Sequence, residues 1–252
     1  MKYAIISDIH GNLEALEAVL GDISTKDVDK TFCLGDIVGY GANPNECIEL
    51  IKENCIDSVK GNHDAASVGE MPLSWFNGYA FRALRWTGNE LTSENKAFLK
   101  NLNYIKTEGN LILCHSSLYA PEKFNYVRDK YDVEFLVHSG KKISDWDKCF
   151  IGHTHVPKVF KVNESGGNLN ISSLGLKDLE DSLDFQDSLY VINVGSVGQP
   201  RDRNWKSSYM TYDLNNQKLD YFRVEYELAK AQIKIVDAGL PIELSKRLEF
   251  GR

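Results

Sequence analysis

The chain has 252 residues, of which 42% are hydrophobic and 26% are charged, the composition of an ordinary globular protein. Six prolines exclude a proline-rich fibrous or disordered chain, and apolar runs such as residues 4–6 are far shorter than the roughly 20 residues that span a bilayer. Only Lys2 and Tyr3 separate Met1 from the first strand-like run, which leaves no room for a signal peptide. We therefore expect a cytoplasmic protein.

The charge balance argues against a polynucleotide partner. The chain carries 29 Lys and Arg against 36 Asp and Glu, a net charge of −7. Proteins that hold nucleic-acid backbones usually show a basic stripe, whereas the longest basic run here is the pair Lys141-Lys142. The five cysteines include no Cys-x-x-Cys spacing, which is typical of reduced thiols in a reducing compartment. We expect a small ligand; the oligomeric state stays open.

The first part of the chain alternates strand-like and helix-like segments. Residues 3–7, 31–34 and 56–59 are apolar runs of strand length, while residues 12–20 and a segment from about residue 45 have helical spacing. This alternation predicts parallel strands joined by right-handed crossovers.

The remaining elements predict a second sheet and a helical tail. Residues 72–101 are predicted to be helical, with Thr92 or Ser93 capping the second helix. Strands are predicted over 110–114, 148–151, 156–162, 169–172, 189–194, 208–214 and 218–226, and helices over 228–238 and 242–248. The acidic segment 173–188 is predicted to be a loop outside the sheet. No repeat or linker divides the chain, so we predict one α/β domain over residues 1–252, with two sheets and a helical tail from about 227 to 252.

Five of the six histidines lie in short polar clusters that directly follow strand-like runs. The clusters are Asp8-Ile9-His10-Gly11, Gly61-Asn62-His63-Asp64, Cys114-His115-Ser116 and Gly152-His153-Thr154-His155, and Gly35-Asp36 occupies the same position after its own run. The carboxyl ends of parallel strands converge on one edge of a sheet, where ligands bind. The sequence therefore predicts that one edge gathers these side chains. His138, in a helical stretch without polar companions, is expected to be structural or exposed.

The clusters contain a set of candidate metal ligands without thiolate. These ligands are Asp8, His10, Asp36, Asn62, His115, His153 and His155. Nitrogen and oxygen donors suit Mn, Fe, Zn, Ni or Co. Seven ligands are too many for one tetrahedral site with a water, and suit two metals about 3.5–4 Å apart. Alternate residues of extended chain point the same way, so each Asp-x-His or His-x-His pair is expected to serve one site. Each pair alone would be an ordinary loop; their conjunction after five strands favours metal binding.

In this order the clusters resemble the signature blocks of the calcineurin-like metallophosphoesterase superfamily, in its small bacterial phosphodiesterase-like and diadenosine tetraphosphatase-related branch. The resemblance runs from residue 3 to about residue 156, and a Gly-Ser loop near residue 195 extends it. It implies a two-sheet β-sandwich flanked by helices in four layers (α-β-β-α), with a dinuclear centre at the strand ends. It further implies one metal on Asp8, His10 and His155, the other on Asn62, His115 and His153, Asp36 between them, and His63 facing the substrate.

The mechanism that this resemblance implies follows from charge. Asp8 and Asp36 are the only anionic ligands, so two divalent ions would leave the centre at about +2 and attract a phosphate. A hydroxide generated between the metals would attack phosphorus, and His63 would protonate the departing oxygen as the catalytic acid. Manganese is the favoured ion.

Departures from other members narrow the expected substrate. Protein serine/threonine phosphatases carry Gly-Asp-x-x-Asp-Arg-Gly, and Gly39 and Tyr40 replace its second Asp and its Arg here. Tyr40 and Arg201 are expected to contact the substrate, with Arg201 supplying the missing positive charge. We expect hydrolysis of a small phosphate ester or nucleotide. Monoesterase, diesterase and dinucleoside polyphosphate hydrolase stay open, and a non-catalytic interaction scaffold is the alternative. Asp64 is not expected to bond to the His63 ring.

Overall fold

Alternating side chains build two sheets that are apolar on the faces they share. The structure is a computed structural model that describes residues 1–174, 183–185 and 188–252. The first sheet contains β1 (Lys2–Ile6), β2 (Lys30–Cys33), β3 (Asp57–Ser58), β9 (Leu183–Asp184), β11 (Ser207–Asp213) and β12 (Lys218–Val224), in the order β3-β2-β1-β11-β12-β9. The second contains β4 (Ile105–Glu108), β5 (Leu111–Cys114), β6 (Lys148–Ile151), β7 (Lys158–Ser165), β8 (Asn168–Leu174) and β10 (Leu189–Asn193), in the order β4-β5-β6-β10-β7-β8.

Helices cover the outer faces of both sheets. They are α1 (Leu13–Ile23), α2 (Pro44–Glu53), α3 (Asn62–Ser67), α4 (Gly78–Glu90), α5 (Ser93–Lys100), α6 (Lys130–Gly140), α7 (Leu228–Asp237) and α8 (Ile242–Phe250), with 3₁₀ turns at Leu73–Trp75 and Pro121–Lys123. Among the helices of the described residues, none is both long and apolar enough to cross a membrane.

The alternation of strand side chains sorts the core into layers. Ile5 of β1 packs with Leu113 of β5 between the sheets, while its neighbours Ala4 and Ile6 pack under the helices of the first sheet. On the far side, α6 packs against the second sheet through side chains such as Leu136. The predicted four-layer sandwich of helices, two sheets and helices is therefore confirmed.

Parallel pairing places the ends of five strands at the same end of the sandwich. β1, β2 and β3 run parallel in the first sheet, and β5, β6 and β10 run parallel in the second. The clusters thus lie at the strand ends of two stacked sheets. The expectation that the edge of one sheet gathers them was wrong, because β5 and β6 belong to the second sheet.

Several element bounds differ from the predictions. Thr92 caps α5 through its side-chain oxygen, which accepts from the Asn95 backbone N–H at 3.1 Å, as one of the predicted alternatives. The loop predicted over 173–188 is wrong where the structure describes it, because β8 continues to Leu174 and residues 183–184 pair with β12. The rest of that segment, 175–182 and 186–187, lies outside the described residues. The short edge strand β4 is absent from the predictions.

Candidate metal centre

Five loops meet at this end of the sandwich and carry the polar clusters. Each cluster follows the end of its strand: β1, β2 and β3 in the first sheet, and β5 and β6 in the second. The structure brings seven His and Asp side chains into three overlapping buried groups, which are Asp8 with His10 and His155, His10 with Asp36 and His63, and Asp36 with His115 and His153. In each group, one donor atom per residue lies within 4.8 Å of the others.

Left-handed backbone turns these side chains towards one another. Asp8, His10, Asp36, His153 and His155 all have φ between 52° and 67°. Residues other than glycine rarely adopt this conformation, and it concentrates at functional sites. His153 and His155 fall into different groups, as the family resemblance implies, and not into one group, as alternate positions of an extended chain would.

The first group joins the loops after β1 and β6. Asp8 Oδ2 accepts hydrogen bonds from the Ser7 hydroxyl at 2.7 Å and from the His153 backbone N–H at 2.9 Å, which fixes the carboxylate. Its other oxygen, Oδ1, lies 3.2 Å from His155 Nε2 and 3.7 Å from His10 Nε2. One carboxylate oxygen and two ring nitrogens therefore point at a common space.

The group of Asp36, His115 and His153, called the second group below, has the same design around the loop after β2. Asp36 Oδ1 accepts the His63 backbone N–H at 2.8 Å, and Oδ2 lies 3.3 Å from His115 Nε2. His153 Nδ1 lies 3.1 Å from His115 Nε2. Asp36 Oδ2 is also 3.6 Å from His10 Nε2, so this one oxygen touches both groups. Asn62 lines a cleft beside these two groups, and its Oδ1 is buried without a hydrogen-bond partner among the described residues.

The histidine tautomers leave bare nitrogens facing each other. His10 Nδ1 donates to the Val38 carbonyl at 3.2 Å, and His155 Nδ1 donates to the Gln199 carbonyl at 2.5 Å, since a carbonyl oxygen can only accept. Their Nε2 atoms therefore carry lone pairs in the neutral rings, yet lie 3.1 Å apart. A cation between them relieves that repulsion, and a second hydrogen bond that orients each ring is typical of metal-binding histidine. The residues thus fit divalent metal.

Burial and charge shift the pKa values of these groups in opposite directions. Burial opposes charge on His115, but the Asp36 carboxylate outweighs it and raises the His115 pKa to about 10. Burial lowers the pKa of His63 to about 4, against the attraction of Asp36. Burial also opposes ionisation of Asp8, but the charges of His155 and His115 hold its pKa below the usual range.

Asp64 is a structural part of the centre that the sequence reasoning missed. Its Oδ2 accepts the N–H groups of Asp36 at 2.8 Å and Gly61 at 2.9 Å, and its Oδ1 accepts those of Ile37 at 2.9 Å and Val38 at 3.2 Å. Neither oxygen bonds to the His63 ring, as expected. Burial and the Asp36 charge raise the pKa of Asp64, against the N–H groups of Gly61 and Val38. An acidic residue three positions after Gly61, at the start of α3, was the available signal.

A cleft of about 230 Å³ opens onto the two groups. His63 lies in its wall, with its ring 4.7 Å from the His10 ring, 4.4 Å from the Tyr40 ring and 5.2 Å from the Phe76 ring, measured between centroids. Tyr40 and Arg201 also line the cleft, and an Arg201 Nη2 hydrogen bond to Gln199 Oε1 at 3.0 Å orients the guanidinium. The three residues expected to face a substrate thus border one opening.

The loop near residue 195 holds the residues of the first group in place through hydrogen bonds. Ser196 Oγ donates to the Asp8 carbonyl at 2.8 Å, and the Arg201 backbone N–H donates to the His155 carbonyl at 3.2 Å. The Gln199 carbonyl that orients His155 belongs to the same loop. His138, in contrast, lies on α6 with 58% of its side chain exposed, far from these contacts, as expected.

The sequence of this chain matches one protein family over most of its length. Residues 1–217 match the calcineurin-like phosphoesterase superfamily domain. The chain belongs to this superfamily, and it is a metal-dependent phosphoester hydrolase.

One sequence relative and two solved structures are similar to this chain over nearly its whole length. An uncharacterized protein of Methanocaldococcus jannaschii is 45% identical over 254 residues, which cover 99% of this chain and 98% of that protein. The crystal structure of a metallophosphoesterase from Sphaerobacter thermophilus has a TM-score of 0.85 and 36% identity, covering 100% of this chain and 99% of that one. A hypothetical protein from Pyrococcus horikoshii OT3 has the same fold, with a TM-score of 0.78 and 19% identity over 100% of this chain and 98% of its own.

Proposed function

We propose that this phosphoesterase hydrolyses a small phosphate ester or a nucleotide with the help of two divalent metal ions. The proposed ligands are the seven side chains Asp8, His10, Asp36, Asn62, His115, His153 and His155. The observation that carries the proposal is the position of Asp36 Oδ2, which lies 3.6 Å from His10 Nε2 and 3.3 Å from His115 Nε2, one in each of two buried donor groups. A carboxylate shared between two donor groups suits a dinuclear centre.

The donor groups favour a particular division of the ligands. Asp8, His10 and His155 would hold one ion, His115, His153 and Asn62 the other, and Asp36 both. Manganese is the ion proposed from among those that nitrogen and oxygen donors without thiolate suit, which are Mn, Fe, Zn, Ni and Co. When bound, the two ions hold phosphoryl oxygens and lower the pKa of water so that hydroxide is available near neutral pH.

We assign His63 the role of general acid. Its backbone N–H donates to Asp36 Oδ1 at 2.8 Å, which anchors the backbone of His63 beside the donor groups. Its Nδ1 is buried beside Gly39, and the ring lines the cleft, where it can meet a ligand. An anionic phosphoryl group there favours the protonated ring, because an opposite charge nearby raises the pKa of histidine. The ring can then give its proton to the departing oxygen.

Tyr40 and Arg201 complete the proposed substrate site. Both line the cleft, and Arg201 Nη2 lies 3.5 Å from the Tyr40 hydroxyl. A guanidinium offers paired N–H donors to a phosphate, so Arg201 supplies the charge that protein phosphatases place in another loop. The cleft of about 230 Å³ suits a small ester better than a protein surface.

Replacement of His63 tests this function. The manganese-loaded protein is assayed on an aryl phosphate, a bis-aryl phosphate and an alkyl phosphate ester. His63→Ala is expected to keep two metal ions per chain by elemental analysis, because its ring is not a proposed ligand. Turnover of the alkyl ester is expected to fall by about 10²–10⁴-fold, since a poor leaving group needs the proton.

His138→Ala is the matched control and should leave turnover unchanged, because His138 is exposed on α6. Retained alkyl-ester turnover in His63→Ala would contradict the acid role. If none of the three esters is hydrolysed by a protein that holds both metals, the proposed function is wrong and an interaction scaffold is favoured. The ratio of aryl to bis-aryl rates separates a monoesterase from a diesterase.

A further inference from the structure

A second cavity adjoins the proposed substrate cleft. Its volume is about 340 Å³, and it shares Tyr126 and Arg201 with the cleft. It lies between the loop that carries Tyr126, the loop after β6 and the first residue of β7, Lys158. The two cavities are therefore neighbours across one pair of side chains.

Three cations border this second cavity. Arg128, Lys158 and Arg201 all line it, whereas no acidic side chain does among the described residues. None of the three lies within ion-pair distance of a carboxylate in the ranges that the structure describes. In a chain of net charge −7, this concentration of uncompensated positive charge favours an anionic ligand.

Stacked rings connect the cations to the candidate metal centre. The guanidinium of Arg128 lies 4.0 Å from the centroid of the Tyr126 ring. The same ring stacks on His153, with 4.1 Å between centroids and 24° between planes. Arg128 is thereby held on the far side of Tyr126 from a proposed metal ligand, which separates the cationic cavity from the centre by one aromatic ring.

Fixed polar groups shape the rest of the cavity. Lys158 Nζ donates to the Arg128 backbone carbonyl at 3.0 Å, which ties the Lys158 ammonium to the loop that carries Arg128. On the wall, Asn193 Nδ2 donates to Thr154 Oγ1 at 3.0 Å. Arg201 Nε is buried and has no hydrogen-bond acceptor within the described residues. The cavity thus has an ordered lining.

We propose that this cavity binds a second anionic group, a phosphate or a carboxylate, of a substrate whose reacting phosphate lies in the adjoining cleft. This inference rests on the proposed function and narrows its substrate class. The preferred substrates are organic molecules with two anionic ends, such as a nucleotide with a further phosphate, rather than esters with a neutral second end.

Alkanediol phosphates with two to six carbons test the proposal by binding. Isothermal titration of the manganese-loaded protein compares each monophosphate with the bisphosphate of the same diol. We expect at least one bisphosphate to bind about tenfold more tightly than its monophosphate, because a second charge-assisted contact forms. In the double variant Arg128→Gln/Lys158→Gln, the preference should fall below about threefold.

The matched control is Lys130→Gln/Lys161→Gln, which removes the same charge from exposed or half-buried positions outside the cavity. It should keep the preference. Lys130→Gln/Lys161→Gln should also hydrolyse the aryl esters at the wild-type rate, since neither residue lines either cavity. An absent preference in the wild type, or its survival in Arg128→Gln/Lys158→Gln, would overturn the second site. If the preference follows the cations but no ester is hydrolysed, the binding site stands and the proposed function falls.

Discussion

Replacing Asp64 by asparagine should disturb the candidate centre although no proposed ligand is replaced. Each Asp64 oxygen accepts two backbone N–H groups, from Asp36 and Gly61 on one side and from Ile37 and Val38 on the other. A carboxylate can serve all four donors because it only accepts. In Asp64→Asn, whichever way the amide turns, its NH₂ faces two N–H donors, so two hydrogen bonds are lost.

The size of the effect follows from those two bonds. Hydrogen bonds to a charged group contribute about 1.5–3 kcal/mol each, so losing two lowers the free energy of unfolding by about 3–6 kcal/mol. In a chain of this size, each kcal/mol shifts Tm by about 2–4 °C. We therefore expect Tm to fall by at least about 6 °C. The loop that holds Asp36 should shift as well, so manganese binding should weaken.

Thermal unfolding by circular dichroism measures the first effect and elemental analysis the second. Asp129→Asn is the matched control: Asp129 Oδ1 accepts the N–H groups of Tyr131 at 2.9 Å and Asp132 at 3.2 Å, at the exposed start of α6. Asparagine caps a helix about as well as aspartate, so Tm should change by less than about 2 °C. Equal Tm values for Asp64→Asn and Asp129→Asn would refute the reasoning.

Two glycines give further predictions, each with a control at a similar positive φ. A Cβ at Gly39 would lie 2.3 Å from His63 Nδ1, so Gly39→Ala should displace that ring and lower alkyl-ester turnover more than tenfold with both metals retained. In the control Gly69→Ala, the new Cβ meets nothing within 4 Å, so turnover should be kept. Equal turnover in the two variants would contradict the role of the His63 ring. A Cβ at Gly251 would lie 2.5 Å from a backbone nitrogen of the loop before β11, whereas a Cβ at Gly239 would meet open space. Calorimetry should therefore show a fall in Tm for Gly251→Ala at least twice that for Gly239→Ala. Equal falls would mean that close packing of Gly251 on this loop does not hold the C-terminus.

The sequence was sufficient to predict which side chains gather at the candidate centre, but not which residue orders the backbone around them. His10, His115 and His153 follow apolar strands, and parallel strand ends converge, so their proximity could be predicted. Asp64 could not be recognised in the same way, because three of its four partners are backbone N–H groups 26 to 28 residues away. Its importance depends on a loop conformation that side-chain patterns do not encode.

Local geometry explains the other misses. The pair His153 and His155 was expected to serve one site because alternate side chains of extended chain share a direction, but both residues adopt φ near 60° and turn to different groups. β4 was missed because its sequence, Ile-Lys-Thr-Glu, offers one apolar residue, as suits a partly exposed edge strand. The two-residue strand at 183–184 is too short for any periodicity.

The candidate centre straddles the seam between the two sheets. Asp8 and His10 project from the first sheet and meet His155 from the second, and Asp36 of the first meets His115 of the second. An ion held as proposed in either group would therefore bind side chains from both sheets and link one layer to the other. Ion pairs such as Lys30 with Glu108 and Lys106 with Asp57 also join the layers, so such an ion would add a further link at the end of the sandwich where the proposed cleft opens. Ions held in this way would serve both the proposed chemistry and the cohesion of the two layers.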